Sequence, residues 1–219
     1  MGGFGPPLQL IGGLMAETWC SNGVIGEGAS PPHTVTGDKP LLVVGCGRCV
    51  WEDLKRYWTM NVHSDVMLLN DAIVHYPMKK GFYATHAACY DIGRVNIYRD
   101  LRKAKLNHRD FITHSAGDPA DRVWKLIRNF KPNLSGNFGV VIAIAMGYRR
   151  ICLAGCPEDD TGHYWDDLET HPHFDFGVRG IHWHWTDNTA LFKPKVRSLS
   201  GWTGEFFGEP TIDWLNGGE

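Results

Sequence analysis

Residues 39–219 alternate between two patterns of apolar and polar positions. Short continuous apolar runs, typical of buried strands, are separated by stretches in which apolar residues recur at helical spacing. Trp51, Leu54 and Trp58 lie at positions i, i+3 and i+7, and predict a helix directly after the first run. The predicted strands are Leu41–Gly45, Asp65–Asn70, Phe82–His86, Phe111–His114, Ile151–Ala154 and Lys195–Leu199. This order predicts a mostly parallel sheet with helices on both faces.

The stretch 133–157 is the most informative part of the chain. It predicts a buried helix over 135–147 that ends at a glycine, followed by the strand Ile151–Ala154. Ser135 is a candidate N-cap, and the glycines at 136 and 139 loosen the first turns. Backbone N–H groups at such a helix start are able to face a ligand. Because helix N-termini favour anions, a phosphorylated ligand is expected there.

A further helix is predicted to begin at Asp118-Pro-Ala-Asp121. An Asp cap, a Pro at the first helical position and an acid in the first turn are typical start signals. Four apolar residues would then form its buried face: Val123, Leu126, Ile127 and Phe130.

The predicted fold class is α/β, a Rossmann-like mostly parallel sheet with helices on both faces and an irregular N-terminal arm. Residues 1–38 hold nine glycines and four prolines without a strong period, and are interpreted as an extension. Residues 39–219 are interpreted as a single nucleotide-binding domain. Ligands of such sheets bind at the carboxyl ends of the strands, where the strand order reverses.

Composition narrows the function classes. A net charge of −2 and a pI of about 6.6 give no reason to expect non-specific binding to nucleic acid or membranes. No stretch approaches the ~18 apolar residues of a membrane span, and the first residues lack the features of a secretory signal. Six cysteines, mostly in apolar strands, are typical of reduced intracellular thiols. The predicted location is the cytoplasm.

The first strand runs into Gly45-Cys46-Gly47, a turn of the kind that approaches phosphates. The third glycine of a dinucleotide fingerprint is absent, and the second strand ends in Asn70 rather than an acid, which argues against a nicotinamide cofactor. Asn70, at the carboxyl end of this strand, is placed to hydrogen-bond a base, ribose or phosphate, and turn initiation with Asp71 is the alternative interpretation. A plain tight turn is the alternative interpretation of the two glycines.

Histidines cluster late in the chain among acids and tryptophans, at positions 163, 171, 173, 182 and 184. His163 and His182 are the candidate general bases, and Asp166 is a candidate to orient an imidazole. Metal binding by a loop site is the competing interpretation, as are surface or interfacial roles. Four thiols at strand ends also permit zinc, although buried inert thiols are favoured: Cys46, Cys49, Cys152 and Cys156. A phosphate-binding loop of the ATPase type and a hydrolase nucleophile elbow are both absent from the sequence.

Taken together, these motifs resemble the sialyltransferase-like Rossmann proteins, which include CMP-sialic-acid-dependent sialyltransferases and hydroxymethylpterin diphosphokinase-like proteins. The resemblance is carried by Gly45-Cys-Gly, Asn70, Ser135-Gly136, Ala143–Tyr148 and Ile151–Gly155. The ending 196–210, with its Ser-Gly-Trp-Thr segment, is similar to small bacteriophage proteins of this type. Arg48 and Cys49 stand where the group usually has Pro-Ser.

The resemblance implies a nucleotide-sugar-dependent glycosyltransferase-like enzyme with a histidine as general base. The nucleotide would be held by eight residues: Gly45, Cys46, Gly47, Asn70, Ser135, Gly136, Asn137 and Gly155. No firm cofactor is expected beyond the nucleotide or nucleotide sugar, and no metal site is assigned. One alternative is diphosphate transfer from ATP with Mg²⁺ held by Asp159, Asp160 and Asp166. Another is a non-catalytic phage accessory or virion-associated protein whose arm docks to structural partners. The sequence leaves the oligomeric state open.

Overall fold

The computed structural model describes most of the chain from residue 38 onward and two short strands before it. The described residues are 18–21, 24–27, 38–77, 79–105, 111–117, 119–126, 134–166 and 182–218. Among these residues, no helix has the length and apolar character needed to cross a membrane. The histidines at 171 and 173 lie outside the described residues.

One sheet runs through the molecule, with strands in the order β1-β2-β7-β6-β5-β4-β3-β8-β9. Its strands are β1 (Thr18–Ser21), β2 (Val24–Glu27), β3 (Leu41–Val44), β4 (Asp65–Leu69), β5 (His86–Cys89), β6 (Ile112–Ser115), β7 (Arg122–Leu126), β8 (Ile151–Ala154) and β9 (Val196–Ser198). The strands from β7 to β9 in this order pair in parallel, while the β1–β2 hairpin joins β7 antiparallel. The predicted fold class is confirmed.

Helices cover both faces of the sheet. They are α1 (Val50–Thr59), α2 (Ala72–His75), α3 (Arg94–Lys105), α4 (Ser135–Ala145), α5 (Trp183–Thr186), α6 (Thr189–Phe192), α7 (Gly201–Phe207) and α8 (Ile212–Leu215). Alternate strand residues divide between two cores, so that Leu41 and Val43 face α4 whereas Leu42 and Val44 face α1 and α2. The strand order reverses at β3, between β4 and β8, and this defines the switch point.

Helix α4 is apolar on every side because it is buried on every side. Its residues from Asn137 to Ala145 are all buried, as expected for a helix enclosed between a sheet and other helices. A β-carbon on Gly139 would lie 3.0 Å from Leu69 Cδ2 and 3.3 Å from Met67 Sδ, so the glycine allows close packing on β4. This packing fixes the start of α4 above the carboxyl ends of the central strands.

Two predictions made from the sequence are wrong: one gives a strand segment as a helix, and the other places a strand too early in the chain. The segment predicted as a helix from Asp118 contains strand β7, because residues 122 and 123 pair with β6 on one side and residues 123–126 pair with β2 on the other. Asp121 does not cap a helix; its Oδ2 accepts hydrogen bonds from Thr113 N at 2.9 Å and Thr113 Oγ1 at 2.7 Å. Residues 127–133 lie outside the described part of the chain.

The strand predicted at Phe82–His86 begins only at His86 and runs to Cys89. Phe82 packs instead against α1, with its ring 6.2 Å from that of Tyr57, and its carbonyl accepts a hydrogen bond from Tyr76. The strand itself is built from small residues, Ala87 and Ala88, whose weak strand preference is overridden by pairing on both sides. Strands β1 and β2 were not predicted within residues 1–38, and the boundary at residue 38 stays a prediction.

Candidate functional site

The chain segments that leave β3 and β8 stay in close contact at the switch point, and this contact is called the crossing below. Gly45 N donates to Ala154 O and Gly47 N donates to Gly155 O, both at 2.8 Å. A β-carbon on Gly45 would lie 2.4 Å from Gly155 O, and one on Gly47 would lie 2.4 Å from Pro157 Cδ. The glycines of the Gly45-Cys46-Gly47 turn are therefore required by this crossing. Because both amides already have acceptors, contact of this turn with a nucleotide stays a prediction.

Gly155 is the glycine of the crossing whose backbone is left-handed, and its replacement tests the packing. Its φ is +64°, and a β-carbon would lie 2.6 Å from Val50 Cβ, at the start of α1. We expect Gly155→Ala to lower the free energy of unfolding by about 2–4 kcal/mol, from backbone strain and overpacking together. Denaturant unfolding measures this change.

Gly147→Ala is the matched control for this prediction. Its φ of +97° imposes comparable backbone strain, but no atom lies within 4 Å of the added β-carbon. We expect a loss of only about 1–2 kcal/mol. Equal losses in the two variants would mean that crowding at the crossing contributes nothing.

The cysteines of the crossing are packing residues. Cys46 Sγ lies 3.3 Å from Leu69 O and accepts a hydrogen bond from Ala72 N at 3.2 Å. Burial raises the pKa of Cys46 and that of Cys49 to about 12, and burial raises that of Cys156 well above its usual range. Zinc requires thiolates, so these raised pKa values favour the interpretation of inert buried thiols.

Ser135 connects the start of α4 to the ends of β4 and β5. The residue before the helix is Leu134, so Ser135 is the first helical residue rather than the N-cap. Its Oγ donates to Asn70 Oδ1 at 2.9 Å and accepts from Tyr90 N at 3.3 Å. Asn70 Oδ1 accepts a second hydrogen bond, from Cys89 Sγ at 3.1 Å. The structure thus brings two predicted nucleotide-binding residues together.

Asn70 combines an unusual backbone with an amide nitrogen that has no partner among the described residues. Its φ is +50°, a conformation rare in non-glycine residues and frequent at functional sites. Both of its side-chain hydrogen bonds use Oδ1, and Nδ2 has no acceptor within the described part of the chain. Asn70 therefore presents a donor at the carboxyl end of β4.

The first turn of α4 presents unpaired amides. The N–H groups of Ser135, Gly136 and Asn137 have no acceptor among the described residues, whereas Phe138 N donates to Leu134 O at 3.0 Å. Asn137 is only 1% exposed; its Nδ2 donates to His184 O at 3.1 Å, and its Oδ1 has no described donor. This turn supplies positive partial charge and N–H donors where the sheet has its switch point.

Glu158 lies against the same turn. A β-carbon on Gly136 would be 3.6 Å from Glu158 Oε1, 3.7 Å from Cys156 Sγ and 3.5 Å from Trp185 Cζ2. Desolvation raises the pKa of Glu158 to about 7, the nearby indole N–H of Trp185 opposes this shift without a hydrogen bond of normal geometry, and Asp159 adds to it. The backbone of Glu158 is also left-handed, with φ of +51°. Its carboxyl group thus changes charge near neutral pH.

His182 is held beside Glu158 in a defined tautomer. Its Nε2 lies 2.8 Å from Glu158 O, and because a carbonyl only accepts, Nε2 carries the proton. The basic nitrogen of the neutral ring is therefore Nδ1, which has no partner in the described part of the protein. The ring stacks on Trp202, with centroids 3.7 Å apart and an interplanar angle of 7°.

The Ser-Gly-Trp-Thr segment at the start of α7 is what places Trp202 there. Thr203 Oγ1 donates to Cys156 O at 2.7 Å, and Ser200 Oγ donates to Asp53 Oδ2 at 2.7 Å. Asp53 is itself buried and accepts a hydrogen bond from Gly155 N at 2.8 Å. The segment is thereby fixed to the exit of β8.

His163 lies over the Gly45-Cys46-Gly47 turn. It forms a β-bridge with Gly47, and its Nδ1 is 3.3 Å from Asp166 Oδ2. The ring stacks on Trp165, with centroids 4.6 Å apart. Asp166 is thus placed to orient the imidazole of His163, one of the pairings that the sequence suggests. His182, in contrast, is the histidine that lies near the start of α4.

Two of the three acids proposed to hold Mg²⁺, Asp159 and Asp166, are engaged within their own loop. Asp166 Oδ2 accepts from His163 N at 2.6 Å, and Asp159 Oδ1 accepts from Thr161 N at 3.1 Å. No group of three or more His, Cys, Asp or Glu side chains in the described ranges is arranged to hold a metal ion.

Three residues of this site were missed by sequence reasoning: Glu158, Trp185 and Trp202. Glu158 had a usable signal, because it follows the predicted strand Ile151–Ala154 at a carboxyl end. Trp185 and Trp202 contact the site only through the folding of α5 and α7, and nothing in their local sequence indicates this.

Comparison with known proteins identifies solved structures that are similar in fold. No protein-family model matches the sequence, and no curated protein matches it. A solved structure of the sialyltransferase CST-II, in complex with a trisaccharide acceptor and CMP, is similar over 80% of this chain and 87% of that chain, with a TM-score of 0.53 and 14% identity. A structure of the sialyltransferase CstII from Campylobacter jejuni with the substrate analogue CMP-3FNeuAc matches with the same coverage and identity and a TM-score of 0.41. At this identity the likeness is one of fold: the chain has a sialyltransferase-like α/β architecture.

Proposed function

We propose that this protein is a nucleotide-sugar-dependent glycosyltransferase-like enzyme whose donor phosphate lies on the first turn of α4. The observation that carries the proposal is the set of unpaired N–H groups at Ser135, Gly136 and Asn137, beside the switch point of the sheet. A fold shared with a sialyltransferase crystallised with CMP and an acceptor supports the choice of ligand class. Fold alone does not establish function, so the residues of the site carry the proposal.

Each part of the site has a role in this proposal. The N–H groups of α4 bind the phosphate and stabilise the charge that develops on it as the glycosidic bond breaks. Asn70 Nδ2 donates to the ribose or phosphate. His182 Nδ1 takes the proton of the acceptor hydroxyl, since its position beside Glu158 places a basic nitrogen next to the phosphate site. Gly45, Cys46, Gly47 and Gly155 shape the floor of the site through their crossing.

A thermal-shift panel tests the proposal without knowledge of the acceptor. We expect CMP, or one of UDP, GDP and the adenine nucleotides, to raise the melting temperature. A ligand at about 100 times its Kd adds about 2.7 kcal/mol to the free energy of unfolding. The same titration in EDTA separates this proposal from Mg²⁺-dependent diphosphate transfer, which requires the metal. Failure of every nucleotide to stabilise the protein would contradict the proposal and favour the non-catalytic accessory role.

A further inference from the structure

The carboxyl group of Glu158 lies next to the N–H groups that would bind a phosphate. Its Oε1 is 3.6 Å from the β-carbon position of Gly136, in the middle of the first turn of α4. The left-handed backbone at Glu158, with φ of +51°, and the hydrogen bond from His182 to its carbonyl fix the residue in this place. A carboxylate and a phosphate at one helix start repel each other, because both are anions.

Apart from the N–H groups at the start of α4, which a bound phosphate would take up, the surroundings of this carboxyl group offer little to balance a negative charge. From α4, the first turn contributes only neutral side chains, those of Ser135, Gly136 and Asn137. From α5, the fully buried Trp185 places its indole N–H nearby, but this group forms no hydrogen bond of normal geometry with a described residue. From the exit of β8, the contributions are the Cys156 thiol, which burial keeps protonated, and the carboxylate of Asp159. The imidazole of His182 reaches Glu158 only at the backbone carbonyl.

A second observation at this turn is a buried hydrogen-bond acceptor that no described residue satisfies. Asn137 is 1% exposed, and its Oδ1 has no donor among the described residues. A buried acceptor without a donor is destabilising, and a ligand O–H or N–H, or a protonated carboxyl, would remove this destabilisation. Asn137 faces the same contact between α4 and α5, since its Nδ2 donates to His184 O.

We propose that Glu158 sets the charge of the phosphate site, so that the carboxyl group takes up one proton from solvent when a ligand phosphate binds to the first turn of α4. This inference rests on the proposed function and adds a specificity-determining residue to it. In the protonated form Glu158 is neutral and able to donate a hydrogen bond to the phosphate. In the ionised form it opposes the same phosphate.

The direction of the pH dependence follows from proton linkage. The pKa of Glu158 in the free protein is raised to about 7, so the group is mostly ionised above neutral pH. Binding above that pH requires a proton, and affinity falls by up to about tenfold for each pH unit between about pH 7 and about pH 9. The second ionisation of a phosphate monoester is complete in this range, since its pKa is about 6.

Calorimetric titration of CMP into three proteins tests this inference. The wild type should lose up to about 100-fold in affinity from about pH 7 to about pH 9, and Glu158→Gln should stay within about twofold. Glu205→Gln removes the same charge from an exposed residue of α7 and should follow the wild type. Parallel pH profiles for wild type and Glu158→Gln would overturn the role of Glu158 and leave the proposed function standing.

Proton uptake gives an independent readout that needs no variant. Binding of CMP to the wild type at about pH 8, measured in two buffers of different ionisation enthalpy, should take up about 0.9 proton, the fraction of Glu158 ionised there. An uptake near zero would overturn the inference even if Glu158→Gln did not fold. No binding of CMP to either protein at any pH would instead overturn the CMP-based form of the proposed function, and this inference with it.

Discussion

Gly136→Asp should abolish nucleotide binding while the protein stays folded. A β-carbon at this position meets its neighbours at 3.5–3.7 Å, which is ordinary contact, so the added β-carbon does not clash with them. An acid in the first turn of a helix is compatible with the helix dipole. Its carboxylate would occupy the N–H groups that the phosphate needs. At about 4 Å and an effective dielectric constant of about 20, like charges repel by about 4 kcal/mol, so we expect CMP affinity to fall at least about 100-fold.

Gly136→Ala is the matched control, because it adds the same β-carbon without the charge. It should keep CMP affinity within a few-fold of wild type, and both variants should show the cooperative unfolding of the wild type. Calorimetry gives the affinities. Unchanged CMP affinity in Gly136→Asp would mean that the first turn of α4 is not the phosphate site.

His182→Gln should remove catalysis and leave nucleotide binding intact. The Gln amide nitrogen is able to keep the hydrogen bond to Glu158 O that His182 Nε2 makes, but it provides no basic nitrogen at the place of Nδ1. General-base catalysis contributes about 10²–10⁴-fold, and we expect a loss of that size in kcat. The assay follows CMP release from CMP-sialic acid with a panel of oligosaccharide acceptors.

His163→Gln is the comparison for this prediction. It removes the other candidate base, which is oriented by Asp166 over the Gly45-Cys46-Gly47 turn. A large loss of kcat in His163→Gln with little change in His182→Gln would assign the base to His163. In either case CMP affinity should change less than threefold, since neither imidazole is placed on the phosphate itself.

The parts of the fold that were predictable are those in which local pattern and packing agree. Helix α4 and strand β8 lie where the sequence placed them, because an apolar stretch of helix length ends at Gly147 before a second apolar run. The helix start was placed correctly, but the Ser135 hydroxyl bonds to Asn70 instead of capping. That contact depends on α4 packing over β4, which no local pattern contains.

The parts that were not predictable depend on tertiary pairing. Residues 118–121 carry every local signal of a helix start, yet pairing with β6 and β2 makes the following segment strand β7. The sequence suggests either a ligand-binding turn or a plain tight turn for the glycines at 45 and 47. The structure shows that glycine is needed at both positions because of the close contact with Gly155 and Pro157. The pKa of Glu158 is raised because Trp185 and its neighbours bury the carboxyl group. Neither the composition nor the spacing of residues in the sequence indicates such burial.

Amide chemical shifts of the ¹⁵N-labelled protein during a CMP titration test the central claim most directly. If the phosphate binds the unpaired N–H groups of α4, the largest shifts should occur at Ser135, Gly136 and Asn137, with smaller ones at Asn70 and Glu158. The amides of Gly45 and Gly47, which are already hydrogen-bonded to the exit of β8, should move less. Saturable binding of CMP that leaves the three α4 amides unperturbed would contradict the account.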